Sequence, residues 1–344
     1  MSTLRVAVLL GGTSEERKVS LASGRAVVEA LRSRGHSVVA VDPAFGSIPG
    51  DEEDHYLGGA VGPAPPDLEA LRKMGLSALG TALAELPAVR DADVAFIALH
   101  GGDGENGRVQ AVLDMGGVPY TGSGFLGCSL AFDKRLSKEL LVQAGVPTPD
   151  WARRGEAPGS TLGRMGLPLV VKPSCGGSTV GLTIVRQAEE LGAAIGLAGR
   201  YDDDVLCETF VPGRELTVAL LDGEPLPAVE IFPGHEIYDY ESKYTPGLSR
   251  YEAPADLDSD EQDRLAELAV RSWHALRQES FSRIDFRQDD SGEFWCLEAN
   301  SVPGLTATSL VPKAAAAAGI RFPELCERIA VAAVESRRPA ERKG

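Results

Sequence analysis

With 344 residues, 43% of them hydrophobic and 24% charged, the chain is long enough for two or three domains with buried cores, and no apolar run reaches the ~20 residues of a membrane helix, which speaks against a membrane protein. Lys and Arg number 34 against 50 Asp and Glu, and the resulting net charge of −16 repels the phosphate backbone and argues against nucleic-acid partners.

Val6 to Leu10 reads as a strand with no cleavable leader ahead of it, so the expected location is cytoplasmic. Gly11-Gly12 forms a turn, and Thr13 or Ser14 is a candidate N-cap with Glu15 and Glu16 in the first turn of a helix. The buried stripe of that helix is Val19, Ala22, Ala26, Val27, Ala30 and Leu31, and Gly35 suits its left-handed end. Ser37 to Asp42 is a second strand. Pro43 to Pro66 is so rich in Gly, Pro and acid that a surface insertion without core elements is expected. A third strand, Asp93 to Leu99, runs into the Gly-rich loop His100 to Gly107 and a helix carrying Val109, Val112 and Leu113. Strand, Gly loop and helix in succession describe an open α/β sheet whose ligands gather at the carboxyl ends of the strands.

A helix around Leu130 to Ala144 and strands at Leu169 to Lys172, Gly181 to Val185 and Asp204 to Glu208 read as a small α+β lobe. Strands Glu215 to Leu221 and Ala228 to Ile231, an aromatic loop Phe232 to Pro254, a helix Ser259 to Arg277 and a hairpin Phe281 to Ala299 follow. An Ala-rich helical region ends near Ser336, before a charged tail. Five widely spaced cysteines fit neither a disulfide framework nor a zinc site. Cys128, Cys207, Cys296 and Cys326 read as core thiols, and Cys175, in a Gly-rich loop beside Lys172, as a candidate accessible thiol.

The hairpin carries the clearest chemistry. With Ser291-Gly292 as a two-residue turn, Asp285 lies opposite Glu298, and Asn300 shares the face of Glu298. Opposed acids repel unless something neutralises them, and three oxygen ligands without His or Cys suit Mg²⁺. Pro168 to Gly181 puts Lys172 at the end of an apolar strand, followed by a Gly/Ser/Thr loop whose amides can cradle phosphate, although no Walker A sequence exists. His235-Glu236 lacks the second His of a zinc protease, and no G-x-S-x-G elbow or G-x-G-x-x-G fingerprint occurs.

Together Leu10 to Ser20, His100 to Gln110, Asp133-Lys134, Val171 to Gly181, Tyr238 to Tyr244, Arg283 to Asp285, Leu297 to Gly304 and Thr306 to Pro312 resemble, in order and over nearly the whole chain, the D-alanine-D-alanine ligases of the ATP-grasp superfamily. The resemblance implies a three-domain ATP-grasp fold, α/β and α+β: a Rossmann-like N-terminal substrate domain (1–122), a central lobe (123–209), a C-terminal catalytic domain (210–336) and a tail (337–344). It implies ATP with two Mg²⁺ (or Mn²⁺), two D-alanines joined through an acyl phosphate for peptidoglycan precursors, and a homodimer.

By the same resemblance Asp285, Glu298 and Asn300 are metal ligands, and Lys134 and Lys172 hold phosphate. Glu208, Phe210, Val211, Glu215 and Leu297 surround the adenine and ribose. Arg283 and the Gly304 amide match the oxyanion pair. Glu16 matches the group that binds the first D-alanine's ammonium, linked through Ser178 to Tyr244. Lys243, Ser309 and the Leu310 amide match the contacts to the second carboxylate, with His100 and Glu105 in the same pocket. Tyr244 favours D-alanine over D-lactate as nucleophile.

Departures from the family pattern are Lys18, Asn106, the Cys175-Gly176 pair, Thr209 and the glycine-free run Arg277 to Ser282. They leave open a ligase of another dipeptide; a nucleotide-binding module without catalysis is the reading from another class.

Overall fold

The computed structural model describes residues 3–58, 69, 73, 80–153, 155–238, 240–245, 247–306 and 309–337, with the side chains of Tyr240 and Tyr244 excepted. The first sheet is built from β1 (Arg5–Leu9), β2 (Ser37–Asp42), β3 (Gly46–Ser47) and β4 (Val94–Ile97), in the order β3-β2-β1-β4. β1 runs parallel to both β2 and β4, so the strand order reverses at β1 and a crevice opens beyond its carboxyl end. Gly11-Gly12 and His100 follow β1 and β4 into that crevice. The helix Arg17–Ser33 starts later than the sequence suggests: Glu16 is its N-cap residue and makes no capping bond, so its carboxylate is left for the crevice. This helix lies close on β1, where a Cβ on Gly24 would come within 2.4 Å of Leu10, and Gly35 ends it at φ +87°.

The region after Pro43 corrects the expectation of a coreless insertion. β3 pairs with β2, a short helix spans Glu53–Leu57, and Ala44, Ile48 and Leu57 are buried. Three apolar anchors in a polar stretch suffice to seat it, which composition averages conceal. Residues 59–66 of the same stretch lie outside the described residues.

The expected helix at 130–144 is two, Phe125–Phe132 and Lys134–Gln143. Asp133 between them has an extended backbone, and its carboxylate accepts the amides of Arg135 and Leu136 at 3.0 Å each, capping the second helix and turning Lys134 inward. Beyond lies an antiparallel sheet of β5 (Leu169–Pro173), β6 (Thr183–Val185) and β7 (Val205–Thr209), in the order β6-β5-β7. With the helices Pro158–Met165 and Leu191–Ala198 it encloses its own core of Ala152, Leu169, Val171, Val185, Leu191 and Cys207.

The third sheet is antiparallel: β8 (Arg214–Leu221), β9 (Glu224–Pro225), β10 (Val229–Phe232), β11 (Arg250–Glu252), β12 (Phe281–Gln288) and β13 (Phe294–Asn300), ordered β11-β10-β8-β12-β13 with β9 on β8. Strand alternation gives it two apolar faces. One packs on the helix Ser259–Ala275 through Leu268, Trp273, Phe286 and Phe294. Residues of the other, Ala219, Leu221, Ile231 and Phe281, share a core with Val6, Val8 and Phe96 of the first sheet and with the C-terminal helices Leu310–Ala317 and Phe322–Arg337. Residues 338–344 of the expected tail lie outside the described residues; Arg337 is the last helical residue. Among the described residues no helix is long and apolar enough to cross a membrane.

The hairpin turn differs from expectation, yet the opposition of acids stands. The connection is a five-residue loop closed by Asp289, whose amide donates to the Glu293 carbonyl and whose carboxylate accepts the Ser291 and Glu293 amides. Pairing then slips between Asp285 and Phe286: Phe286 faces Cys296, whereas Asp285 faces Glu298. Leu297 is the extra residue of this bulge, which restores the register a two-residue turn would have set.

Candidate active site

Where the three sheets meet, a cavity of about 370 Å³ adjoins a smaller one of about 130 Å³. The larger is lined by Glu16, His100, Glu105, Arg283, Asn300, Gly304, Ser309 and Leu310, the smaller by Lys172, Glu208, Phe210, Val211, Glu215, Asp285 and Leu297. Lys134, Ser178, Lys243 and Glu298 line both. Every residue the sequence singled out for the site is thus brought there except Tyr244, whose side chain lies outside the described residues.

Glu16 enters from the end of β1 and meets Ser178, which arrives on the loop after β5 and donates a hydrogen bond to Glu16 Oε1. A Cβ on Gly101 or on Gly177 would stand 3.0 Å from Glu16 Oε2, so both loops close tightly on the carboxylate. Ser178 and Thr179 hold positive φ of 51° and 63°, backbone strain in the loop expected to cradle phosphate. Burial, then the nearby Glu105, raises the Glu16 pKa above the usual carboxylate value, against the pull of His100, Ser178 and Lys243.

His100 is buried at the end of β4. Its Nδ1 lies 3.0 Å from the Val302 carbonyl and its Nε2 2.9 Å from Ser23 Oγ. Ser23 Oγ also accepts the Leu305 amide at 3.3 Å, which leaves its proton for Nε2 and places the imidazole proton on Nδ1. The two contacts clip the segment that presents Gly304. Beyond it Ser309 occupies the N-cap position of the helix Leu310–Ala317 without a capping bond from its side chain, and its Oγ instead accepts the Thr306 amide at 3.0 Å. Ser309 and Leu310, at the start of this helix, line the larger cavity, and a helix N-terminus suits a carboxylate.

The opposed acids are neutralised separately. Arg283 clamps Asp285 with two bonds of 2.8 Å, and Thr217 Oγ1 donates to Asp285 Oδ1 at 2.6 Å. Lys134 Nζ lies 3.2 Å from Glu298 Oε2 and donates to the Gly176 carbonyl. Burial works against charge on Glu298, but Lys134, then Lys172 and Lys243, outweigh it and hold its pKa at about 2. Burial likewise opposes charge on Arg283 and Lys134, and their carboxylate partners overcome it, so both pKa values are raised. Asp285, Glu298 and the Asn300 amide form an all-oxygen donor set that leaves room for phosphate, the chemistry a hard divalent cation requires. Among the described residues no group of three or more His, Cys, Asp or Glu side chains is placed to hold a metal ion, so the third donor of this set is the amide oxygen of Asn300.

Several working residues carried no obvious mark in the sequence. Lys138 is fully buried, and its ammonium meets Glu208 Oε2 at 2.8 Å, Thr148 Oγ1 at 2.8 Å and the Pro149 carbonyl at 2.9 Å. Lys172 reaches Glu208 Oε1 at 2.5 Å. Burial raises and the two lysines lower the Glu208 pKa, and the lysines prevail. The available signal was spacing: Lys138 stands four residues after Lys134 on one helix face. Arg287 pairs with Glu215 at 3.1 Å and lies 5.5 Å from the Phe210 ring, while Tyr238 and Tyr251 join their hydroxyls at 2.8 Å.

Cys175 is half-buried, and burial, then Asp202 and Asp133, push its pKa up to about 12, which disfavours the thiolate. The other four cysteines are buried and free, as expected. Among the departures, Arg277 and Ser280 take left-handed φ of 53° and 59°, so the glycine-free run retains glycine-like conformations.

Comparison with known proteins follows the same lines. The model of the D-ala D-ala ligase N-terminus matches residues 5–123, and that of the C-terminus matches residues 140–331. A D-alanine–D-alanine ligase of Gloeobacter violaceus is 44% identical over 332 residues, covering 95% of this chain and 98% of that protein. One of Syntrophotalea carbinolica is 43% identical, covering 94% of each. The crystal structure of the Bacillus anthracis D-alanine–D-alanine ligase complexed with ATP superposes with a TM-score of 0.76 at 29% identity, over 98% of this chain and 99% of that one. A likeness that runs end to end through sequence, fold and family models leaves one assignment: the chain belongs to the D-alanine–D-alanine ligase family and shares its ATP-grasp fold.

Proposed function

We propose that this chain joins two D-alanines to D-alanyl-D-alanine with conversion of ATP to ADP and phosphate, supplying peptidoglycan precursors. The observation that carries the reading is the meeting of the two cavities at Lys134, Lys243 and Glu298, one sized for small polar substrates and one walled for a nucleotide base. Adenine and ribose lie among Phe210, Val211, Leu297, Glu208 and Glu215, with the phosphates directed to Lys134, Lys172 and the loop 176–178. Asp285, Glu298 and Asn300 would hold Mg²⁺ or Mn²⁺, which when bound neutralises charge on the phosphates.

Glu16 holds the first D-alanine by its ammonium, with Ser178 fixing the carboxylate. The γ-phosphoryl group passes to the carboxylate of that D-alanine as its bond to ADP breaks. The amine of the second D-alanine, anchored through its own carboxylate by Lys243, Ser309 and the Leu310 amide, attacks the acyl carbon. Arg283 and the Gly304 amide stabilise the oxyanion. The C–N bond forms, the amine loses a proton, and collapse of the tetrahedral species breaks the bond to phosphate. His100 and Glu105 wall the substrate pocket, and Tyr244 extends the link from Ser178. We read the chain as units 1–122, 123–209 and 210–336 with a charged tail, acting in the cytoplasm as a homodimer.

Phosphate release from MgATP, measured with and without D-alanine and followed by mass analysis of the product, tests this. Release that depends on D-alanine and yields the dipeptide is expected. ATP binding without stimulation by D-alanine would overturn the substrate and point to the departures at Cys175, Gly176 and Arg277.

A further inference from the structure

The segment after Pro43, which composition marks as mere surface, reaches back to the loop that carries Glu16. Asp42, at the end of β2, is wholly buried and its carboxylate is a hub. Oδ1 accepts the Gly12 amide at 3.1 Å and the Ala44 amide at 2.8 Å; Oδ2 meets Arg17 Nη1 at 2.7 Å and the Tyr56 hydroxyl at 2.8 Å. Arg17 Nη1 also donates to the Gly12 carbonyl at 2.6 Å, and Nη2 to the Tyr56 hydroxyl at 2.9 Å. The Arg17 guanidinium lies beside the edge-to-face pair of Phe45 and Tyr56, 5.4 Å and 6.0 Å from their ring centres. Thus the Gly12 peptide is gripped at both its N–H and its C=O. A Cβ on Gly11 would come within 2.1 Å of Asp42 Oδ2, so only glycine admits the carboxylate there. Burial first, then the bond to Asp42, pushes the Tyr56 pKa up to about 12, which keeps its hydroxyl protonated as a donor.

Arg17 is the residue next to Glu16, whose side chain makes no capping bond; the Glu16 backbone is held by the Ser20 amide on its carbonyl at 2.9 Å and by Ser14 Oγ on its amide at 3.2 Å, so the loop before the helix sets where Glu16 stands. We propose that Arg17, Asp42 and Tyr56 are positioning residues for the first D-alanine: through them the 43–58 segment locks the Gly11-Gly12 loop and aims the Glu16 carboxylate into the larger cavity. This rests on the ammonium-binding reading of Glu16. None of the three touches substrate, and their effect passes through one carboxylate. A loosened loop lets Glu16 drift, and sub-ångström misplacement of a binding group weakens the site it serves.

The test is steady-state kinetics of the full chain with D-alanine varied over a range that resolves a KM for each amino-acid site, and with MgATP varied separately. Arg17→Met should raise the first-site KM about tenfold, and Tyr56→Phe about threefold, with the KM for MgATP at its wild-type value. In a Glu16→Gln background, itself raised in first-site KM, adding Arg17→Met should change nothing further, because its route is gone. A merely structural role would lower thermal stability without this split. Wild-type first-site KM in Arg17→Met and Tyr56→Phe, an equal rise for MgATP, or a full multiplicative effect in the double variant would overturn the proposal. An unchanged first-site KM in Glu16→Gln alone would instead overturn the reading of Glu16. Should Arg17→Met fail to fold, Tyr56→Phe, which keeps the Arg17–Asp42 pair, carries the same test.

Discussion

Lys138 and Glu208 face each other at 2.8 Å beneath the nucleotide cavity, both almost wholly removed from water. Lys138 donates to Thr148 Oγ1 and the Pro149 carbonyl while ion-paired with Glu208 Oε2, whereas Lys172, which lines the cavity, meets the other oxygen of Glu208. On the proposed reading, in which Lys172 turns to phosphate, Lys138 is the partner left to keep Glu208 ionised. Replacement by Lys138→Met leaves the buried carboxylate with one partner and should cost about 3 kcal/mol of stability. It should also raise the KM for MgATP, while Lys138→Met/Glu208→Gln recovers part of the stability. Urea unfolding and nucleotide kinetics on the three proteins read this out.

Glu298 should leave its mark on acid unfolding. Its pKa is depressed in the fold, to about 2, below the ordinary 4.5. The stabilisation it brings is therefore present above pH 4.5 and lost as pH falls toward 2. Unfolding curves of Glu298→Gln should be less steep in pH than wild type between those values, and should converge with wild type at the acid end.

Glu16 shifts the other way. Because burial raises its pKa, the carboxylate becomes protonated at a pH above the usual carboxylate range, and on the proposed reading it then loses its hold on the substrate ammonium. An acid limb in the first-site kcat/KM for D-alanine is expected there, and Glu16→Gln should flatten the limb while lowering the plateau. A pH profile that keeps the same limb in Glu16→Gln would assign it to another group.

Arg277 and Ser280 offer a gain. Arg277 follows the helix Ser259–Ala275 at φ +53°, and the Gln278 amide returns to the Trp273 carbonyl at 2.9 Å, the hydrogen bond of a helix end that glycine favours. Ser280 stands at φ +59°. Arg277→Gly and Ser280→Gly should each raise stability by about 1 kcal/mol, the order of the left-handed penalty for a residue with a Cβ. Thermal unfolding checks it, with kcat unchanged since neither residue lines the cavities.

Much of the fold was legible because it is local. Strand β2 and the Gly35 helix end follow from short-range pattern and backbone preference, and the opposition of Asp285 and Glu298 follows from period-two alternation. Even there the loop was longer than read, and the Leu297 bulge compensated for it. The collinear motifs selected residues that the fold gathers around the two cavities, since a family's chemistry is written in short runs at loop and strand ends. Which charge answers which was not legible. Ser178 finds Glu16 across 162 residues, Arg283 turns to Asp285 on its own strand, Lys138 goes beneath Glu208, and Tyr56 reaches Asp42 and Arg17 from a stretch that composition marks as solvent-facing. Sequence determined the elements and the chemical types available. Tertiary structure alone decided the ion pairs, because a buried charge takes whichever partner the packing of distant elements brings within reach, and no periodicity encodes that distance.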